Sequence, residues 1–264
     1  MVFLYQGGKT QLGPIFYPEI LKLEALLLAE KGTLLPVLIP MAGMLGIGRR
    51  FLAYGEPVRS LTICDLNPEV VAVWQAIQQG WVLSEEDLKC DTKEEYLEWR
   101  EKPSSIERTA VKLCNAYNSV DDWGSYRCDK DSRHLKESKR RLLQVQPSMS
   151  RVTVLPAASY EKHVLSGGPA LIIYDPPYLN NTYARSNPFF KFDHTAYWAT
   201  VRAQSVSNIV VTCEYVAPPD FVCVFERAAR GKKERLFIWE GYFNGLSAFQ
   251  MPEQSNSAHI PKPD

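Results

Sequence analysis

Along this chain, short apolar runs alternate with segments whose apolar residues recur every three or four positions. Seven runs read as buried strands: LLPVLI (34–39), SLTICD (60–65), RVTVL (151–155), ALIIYD (170–175), NIVVTCEY (208–215), FVCVFE (221–226) and RLFIWE (235–240). Each is short and rich in β-branched or aromatic residues, which suits a strand buried on both faces. Between the early runs the period lengthens to that of a helix. Pro18 to Glu30 carries Ile20, Leu21, Leu23, Leu26 and Leu27; Pro68 to Gln78 carries Val70, Val71, Val73, Trp74 and Ile77 behind Asn67, a helix-capping residue. Strand and helix in alternation predict an α/β sheet with helices on both faces.

Residues 84 to 146 break this pattern. They read as charged helices joined by the polar, aromatic stretch NAYNSVDDWGSYRCDKD, with no strand signal. The expected organisation is one sheet domain built from residues 1–80 and 150–245, a helical insertion at 81–149, and a tail at 246–264 whose end, PEQSNSAHIPKPD, has the composition of a flexible segment.

Composition narrows the picture. With 264 residues, 45% of them hydrophobic, the chain is long enough for one well-packed core. Thirty Lys and Arg balance thirty Asp and Glu, so any nucleic-acid binding has to rest on a local patch. Cys64, Cys90, Cys114, Cys128, Cys213 and Cys223 form no CxxC pair and no zinc spacing, which predicts reduced, mostly buried thiols in a cytoplasmic protein and no metal. The start MVFLYQGGKTQ lacks the pattern of a signal peptide, and the longest apolar stretches contain Pro and Gly and fall short of a membrane span. His134, His163, His194 and His259 are dispersed and no GxSxG occurs, which argues against a hydrolase.

Two strand ends carry candidate chemistry. The run LTICD ends in Asp65; an acid there commonly accepts hydrogen bonds from ribose hydroxyls, although an Asp before a helix also serves as a cap. Upstream, IPMAGMLGIGRRF places Gly43, Gly46 and Gly48 after a strand, where a ligand can approach the backbone closely. No GxxxxGK[ST] is present, so a nucleoside without a polyphosphate fits better.

The second strand end is ALIIYDPPYLNN, with Asp175, Pro176, Pro177 and Tyr178. The lone pair of a base's exocyclic amino group is delocalised into the ring. Accepting hydrogen bonds from both of its N–H groups directs that lone pair at an electrophile. The Asp175 carboxylate and the Pro176 carbonyl supply two such acceptors, and the prolines stiffen the turn. Tyr178 can then stack on a base swung out of its helix.

These segments resemble the S-adenosylmethionine-dependent DNA adenine methylases of the Dam-like class, including phage versions. YQGGKTQL (5–12) is similar to the family's methyl-donor motif, PMAGMLG (40–46) to its glycine motif, ICDLNPE (63–69) to its acidic strand end, and YDPPY (174–178) to its catalytic motif. Residues 190–221 and 231–239 also look like the family's next helix and strand and its closing strand, whereas the likeness thins between 80 and 150. The resemblance implies a Rossmann-like mixed sheet with helices on both faces, the class I methyltransferase fold, plus a helical target-recognition insertion. It implies S-adenosyl-L-methionine as cofactor, held by Tyr5, Gly8, Lys9, Pro40, Ala42, Gly43, Asp65 and Asp175. Asp175, Pro176, Pro177 and Tyr178 would hold a flipped adenine for methylation at N6. Tyr5 could also lie against the sulfonium.

The sequence departs from the family in one place. Its glycine motif usually reads as an acid, a Pro and a Phe before Gly-x-Gly; here Ile39 stands in place of the acid and Leu45 in place of the second glycine. A non-catalytic DNA-binding relative and an RNA amino methyltransferase are therefore the alternative readings.

For the partner the expectation is double-stranded DNA, with no membrane, bound by a monomer or alternatively a dimer in a bacterial or phage-infected cell. Arg133, Lys136, Lys139 and Arg140 fall on one helical face and suit phosphates, with Lys130 just upstream; a solvated helix face is the plainer reading. Tyr117, Asn118, Asp121, Asp122, Trp123 and Tyr126 can read base edges or fill the gap left by a flipped base. Tyr183 and Arg185, after the tetrad, could close over the base, and Lys9 joins this set by resemblance.

Overall fold

All seven apolar runs are strands in the computed structural model, which describes residues 3, 11–28, 34–52, 59–117, 123, 125–127, 133–163, 168–179, 192–229 and 232–243. In chain order the elements are α1 (Gly13–Leu27), β1 (Val37–Ile39), β2 (Leu61–Ile63), α2 (Pro68–Gln78), α3 (Lys93–Glu101), α4 (Ile106–Asn115), β3 (Ala116–Tyr117) and β4 (Ser125–Tyr126). There follow α5 (Arg133–Val145), β5 (Val152–Val154), β6 (Leu171–Tyr174), α6 (His194–Ser205), β7 (Ile209–Glu214), β8 (Phe221–Ala229) and β9 (Lys232–Trp239).

The large sheet has the order β5-β2-β1-β6-β7-β9-β8. Its first five strands are parallel and β9 is antiparallel to both of its neighbours. Counted within this sheet, the order is 3-2-1-4-5-7-6: a doubly wound sheet with its last strand slotted antiparallel between the fifth and sixth. Alternate residues of each strand feed opposite faces. Val37, Ile39, Leu171, Ile173, Val211 and Leu236 join the core beneath α1 and α2, while Leu38, Ile172, Tyr174, Val210 and Phe237 join the one beneath α6. Burial on both faces explains why these strands read as continuous apolar runs rather than alternating ones.

The second helix forms over the span its sequence predicts. Asn67 accepts from the Glu69 N–H at 2.9 Å and Pro68 opens the first turn, where its missing N–H costs nothing. The first helix differs: it starts at Gly13, with Pro14 in its first turn and Pro18 inside. Pro18 imitated a helix start because proline is favoured there, but Pro14 fills that role. At the far edge of the sheet Arg59 and Glu24, with side chains 4% and 2% exposed, pair at 2.8 Å. Glu24 also accepts from the Leu35 N–H at 3.1 Å and so ties α1 to the approach into β1.

Within residues 81–149 the structure has α3, α4 and α5. It also has an antiparallel pair, Ala116 with Tyr126 and Tyr117 with Ser125, which the sequence pattern did not predict. Two-residue strands are too short for period-2 alternation to show. These helices do not form a separate core: Tyr96, Val111, Leu113, Leu135 and Leu142 belong to the same apolar cluster as the sheet. Lys112 on α4 reaches Glu69 on α2 at 3.0 Å, and Arg108 reaches it at 3.5 Å.

Cys64, Cys90, Cys114 and Cys213 are buried free thiols and Cys223 is a half-buried one, as their scattered spacing predicts. No helix among the described residues is long and apolar enough to cross a membrane.

Candidate active site

Parallel strands deliver their carboxyl ends to one edge of the sheet. The chain after β1 packs Phe51 and Leu52 on one face, whereas α6, after β6, covers the other. The boundary between β1 and β6 is therefore the topological switch point, where a crevice opens in a doubly wound sheet. The glycine turn leaves β1 there, Asp65 follows β2 on one side, and the Asp-Pro-Pro-Tyr segment follows β6 on the other.

Asp65 holds this edge together. It is 8% exposed; its Oδ2 accepts from the Gly43 N–H at 2.8 Å and its Oδ1 from the Asn67 N–H at 2.9 Å. The Gly43 carbonyl in turn accepts from Trp74 Nε1 on α2 at 2.8 Å, and the Ala42 N–H donates to the Cys64 carbonyl at 2.8 Å. One carboxylate thus fixes both the glycine turn and the entry into α2. The sequence pointed to Asp65 as a ribose ligand or a cap; the cap itself is Asn67, and Asp65 clamps the turn.

Within that turn Gly43 has φ +46° and Leu45 has φ +54°, the one positive φ outside glycine among the described residues. A branched side chain there costs about 1–2 kcal/mol. Leu45 is nevertheless 1% exposed and packed in the core. A Cβ on Gly48 would lie 2.5 Å from Leu45 Cδ2 and 2.6 Å from Ile39 Cδ1. The two residues that depart from the family pattern therefore close over the same glycine.

Next to Asp65, Cys64 Sγ lies 2.7 Å from His163 Nε2. Burial pushes the thiol above its ordinary value and the imidazole below its own, so the pair is neutral.

The tetrad after β6 is anchored on three sides. Asp175 and Pro177 are half-buried, and Pro176 is buried. Tyr178 is 6% exposed, donates its hydroxyl to Glu234 Oε2 on β9 at 2.8 Å, and meets the Tyr215 ring edge-on at 4.4 Å. Burial, followed by the charge of Asp175, holds its phenol well above the ordinary value, so Tyr178 stays neutral. The carboxylate of Glu214 on β7, 1% exposed, accepts from the Leu179 N–H at 3.1 Å and the Tyr215 N–H at 2.7 Å. On the opposite face Tyr174 donates to Gln204 of α6 at 2.6 Å. The sequence reading has Tyr178 stacked on a base; the structure has its ring within the apolar core. Glu214, Tyr215 and Glu234 escaped the sequence reading. Glu214 carries the signal that marked Asp65 and Asp175, an apolar run ending in an acid.

The predicted nucleic-acid residues are partly rearranged. Arg133 and Lys136 are exposed on α5 without a carboxylate partner among the described residues. Lys139 pairs with Glu85 at 3.1 Å, and Arg140 with Glu137 at 2.7 Å. Tyr126 donates to the Asp91 carbonyl at 2.6 Å, and Trp123, 4% exposed, packs on Tyr96 with ring centroids 4.9 Å apart. Tyr5, Gly8, Lys9, Asn118, Asp121, Asp122, Lys130, Tyr183 and Arg185 lie outside the described residues, as does the side chain of Tyr117.

No family model matches the chain, and neither does a curated protein. Among solved structures it resembles the rRNA methyltransferase aviRa from Streptomyces viridochromogenes, with 13% identity and a TM-score of 0.37 over 88% of this chain and 87% of that one. It also resembles TrmN from Thermus thermophilus, with 14% identity and a TM-score of 0.35 over 84% of this chain and 51% of that one. Such superpositions do not by themselves define a fold; the strand order does. The fold is a Rossmann-like mixed sheet with helices on both faces.

Proposed function

We propose that this protein is an S-adenosylmethionine-dependent methyltransferase acting on N6 of adenine in double-stranded DNA. One observation carries the reading: three adjacent strands, β2, β1 and β6, end in an acid, a glycine turn and Asp-Pro-Pro-Tyr at the switch point.

The residues at this edge suit the cofactor. Backbone at Pro40, Ala42 and Gly43 offers close approach to the ligand, and Asp65 retains acceptor capacity for a ribose hydroxyl beside its two backbone bonds. Bound S-adenosylmethionine supplies a methyl group activated by a sulfonium. Asp175 and the Pro176 carbonyl accept the two amino hydrogens of adenine and orient its lone pair. Methyl transfer to the nitrogen would leave the amino group with a surplus proton, for which the Asp175 carboxylate would be the acceptor. Pro177 stiffens the turn. Tyr178 covers the base, a role that requires its ring to turn out of the position held by Glu234. An amino group paired inside a duplex is unreachable, so the base must be flipped.

The test is transfer of label from S-adenosylmethionine to adenine-containing duplexes, read as N6-methyladenine. Label in DNA supports the reading; donor binding without label overturns it. The packing of Ile39 and Leu45 over Gly48 favours a second reading, a DNA-binding protein of this fold that no longer binds the donor. Calorimetric titration with the donor separates the two, because binding abolished by Asp65→Ala removes the second. Label in single-stranded RNA but not in duplex DNA would point to an RNA substrate instead.

A further inference from the structure

We infer that Arg49 and Arg50, next to the glycine turn, join Arg140 and Arg141 of α5 in one seat for nucleic-acid phosphates. This rests on the nucleic-acid substrate proposed above but extends the contact surface beyond α5. The 3-10 turn Gly48–Leu52 buries Gly48, Phe51 and Leu52 and leaves Arg49 and Arg50 half-exposed. Its last residue is tied to the chain just after α5, where Ser148 Oγ donates to the Leu52 carbonyl at 3.0 Å. The tie holds the turn beside the chain that leaves α5, close enough for the charges of Arg140 and Arg141 to act on Arg49.

Among the described residues, Glu137 is bound by both arginines of α5. Glu137 accepts two bonds from Arg140, at 2.7 Å each, and one from Arg141 at 2.6 Å. Burial and then the charges of Arg141, Arg50 and Arg140 hold the Arg49 guanidinium below its ordinary value, with Glu137 acting in the opposite sense. Arg49 and Arg50 have no carboxylate partner among the described residues, and neither do Arg133 and Lys136 on the same helix as Glu137. Guanidinium groups gathered in this way repel one another. That repulsion is relieved when an anion with several charges docks, and a phosphodiester backbone offers one charge per nucleotide in a row. Arginine's planar fork suits phosphate oxygens. The net charge of the chain is zero, so this clustering is local.

The measurement is fluorescence anisotropy of the full chain with labelled duplex DNA, and with RNA of the same sequence, across a salt series. Arg49→Gln with Arg50→Gln should weaken binding at least tenfold and make the salt slope shallower by about 2, at roughly 0.9 for each phosphate no longer neutralised. Glu137→Gln, which removes the carboxylate that holds Arg140, should tighten binding several-fold. The opposite signs guard against a folding defect in either variant. Wild-type affinity in the double arginine variant, no gain in Glu137→Gln, or equal competition by polyglutamate would overturn the inference, as would a wild-type chain that binds neither nucleic acid. The DNA and RNA arms distinguish which backbone is preferred. Because binding is read without turnover, salt-dependent binding with no methyl transfer would count against the proposed activity alone.

Discussion

The Tyr178 hydroxyl donates to Glu234 on β9, so the last residue of Asp-Pro-Pro-Tyr hangs from a strand that follows it much later in the chain. The motif is local in sequence, but its support is not. Tyr178→Phe removes the donor and leaves the carboxylate without it. Chemical denaturation should show a loss of about 1.5–3 kcal/mol, the range for a hydrogen bond to a charged group. Glu234→Gln retains an acceptor and should lose less than Tyr178→Phe. The reverse ranking would mean that the contact does not support the turn.

Asp65 satisfies two buried backbone donors at once. Asp65→Ala should cost about 2–4 kcal/mol in urea unfolding, since each stranded N–H costs roughly 1–3 kcal/mol. Asp65→Asn keeps one oxygen acceptor and should fall between that variant and the wild type. If Asp65→Ala proved as stable as the wild type, the clamp would be refuted.

Leu45 sets packing against backbone strain. Leu45→Gly relieves about 1–2 kcal/mol of left-handed strain but empties a core position, at about 3 kcal/mol or more. The net expectation is a less stable protein with a lower urea midpoint. A higher midpoint would mean that strain outweighs packing there.

The buried pair Arg59–Glu24 predicts an asymmetry. Arg59→Met alone should cost about 3–5 kcal/mol by stranding the carboxylate, whereas Arg59→Met with Glu24→Gln, which keeps an acceptor for the Leu35 N–H, should lose less. A double-mutant cycle in urea decides it, and equal losses in the single and double variants would contradict it.

Burial lowers His163 and His194, with the nearby Asp193 charge opposing the shift at His194. A histidine whose folded value lies below its unfolded one binds protons preferentially when unfolded. Stability is therefore full above the unfolded value of about 6.5 and falls as pH drops from there towards the folded values. The urea midpoint should decline between about pH 7 and 5, and the decline should be smaller in His163→Gln. A slope unchanged by that substitution would place the effect elsewhere.

The central strands β1, β2, β6 and β7 were legible from sequence because burial on both faces requires unbroken apolar runs, and α2 was legible because Asn67, Pro68 and its apolar period agree. Asp65 and Asp-Pro-Pro-Tyr stood out because each ends a buried apolar run with an acid. Other features depend on which segments meet. Glu234 lies on a strand inserted antiparallel beside β7, and no local pattern announces that neighbour. Arg49 and Arg50 look like ordinary surface charges until α5 is packed beside them. Ile39 and Leu45 read as two separate departures from a motif, and only the turn's geometry joins them over Gly48. Sequence alone determined the elements and the acids at their ends, because periodicity and strand termination are local properties. The tertiary structure decided which groups hold those acids, since strand order and helix packing are settled by burial across the whole chain.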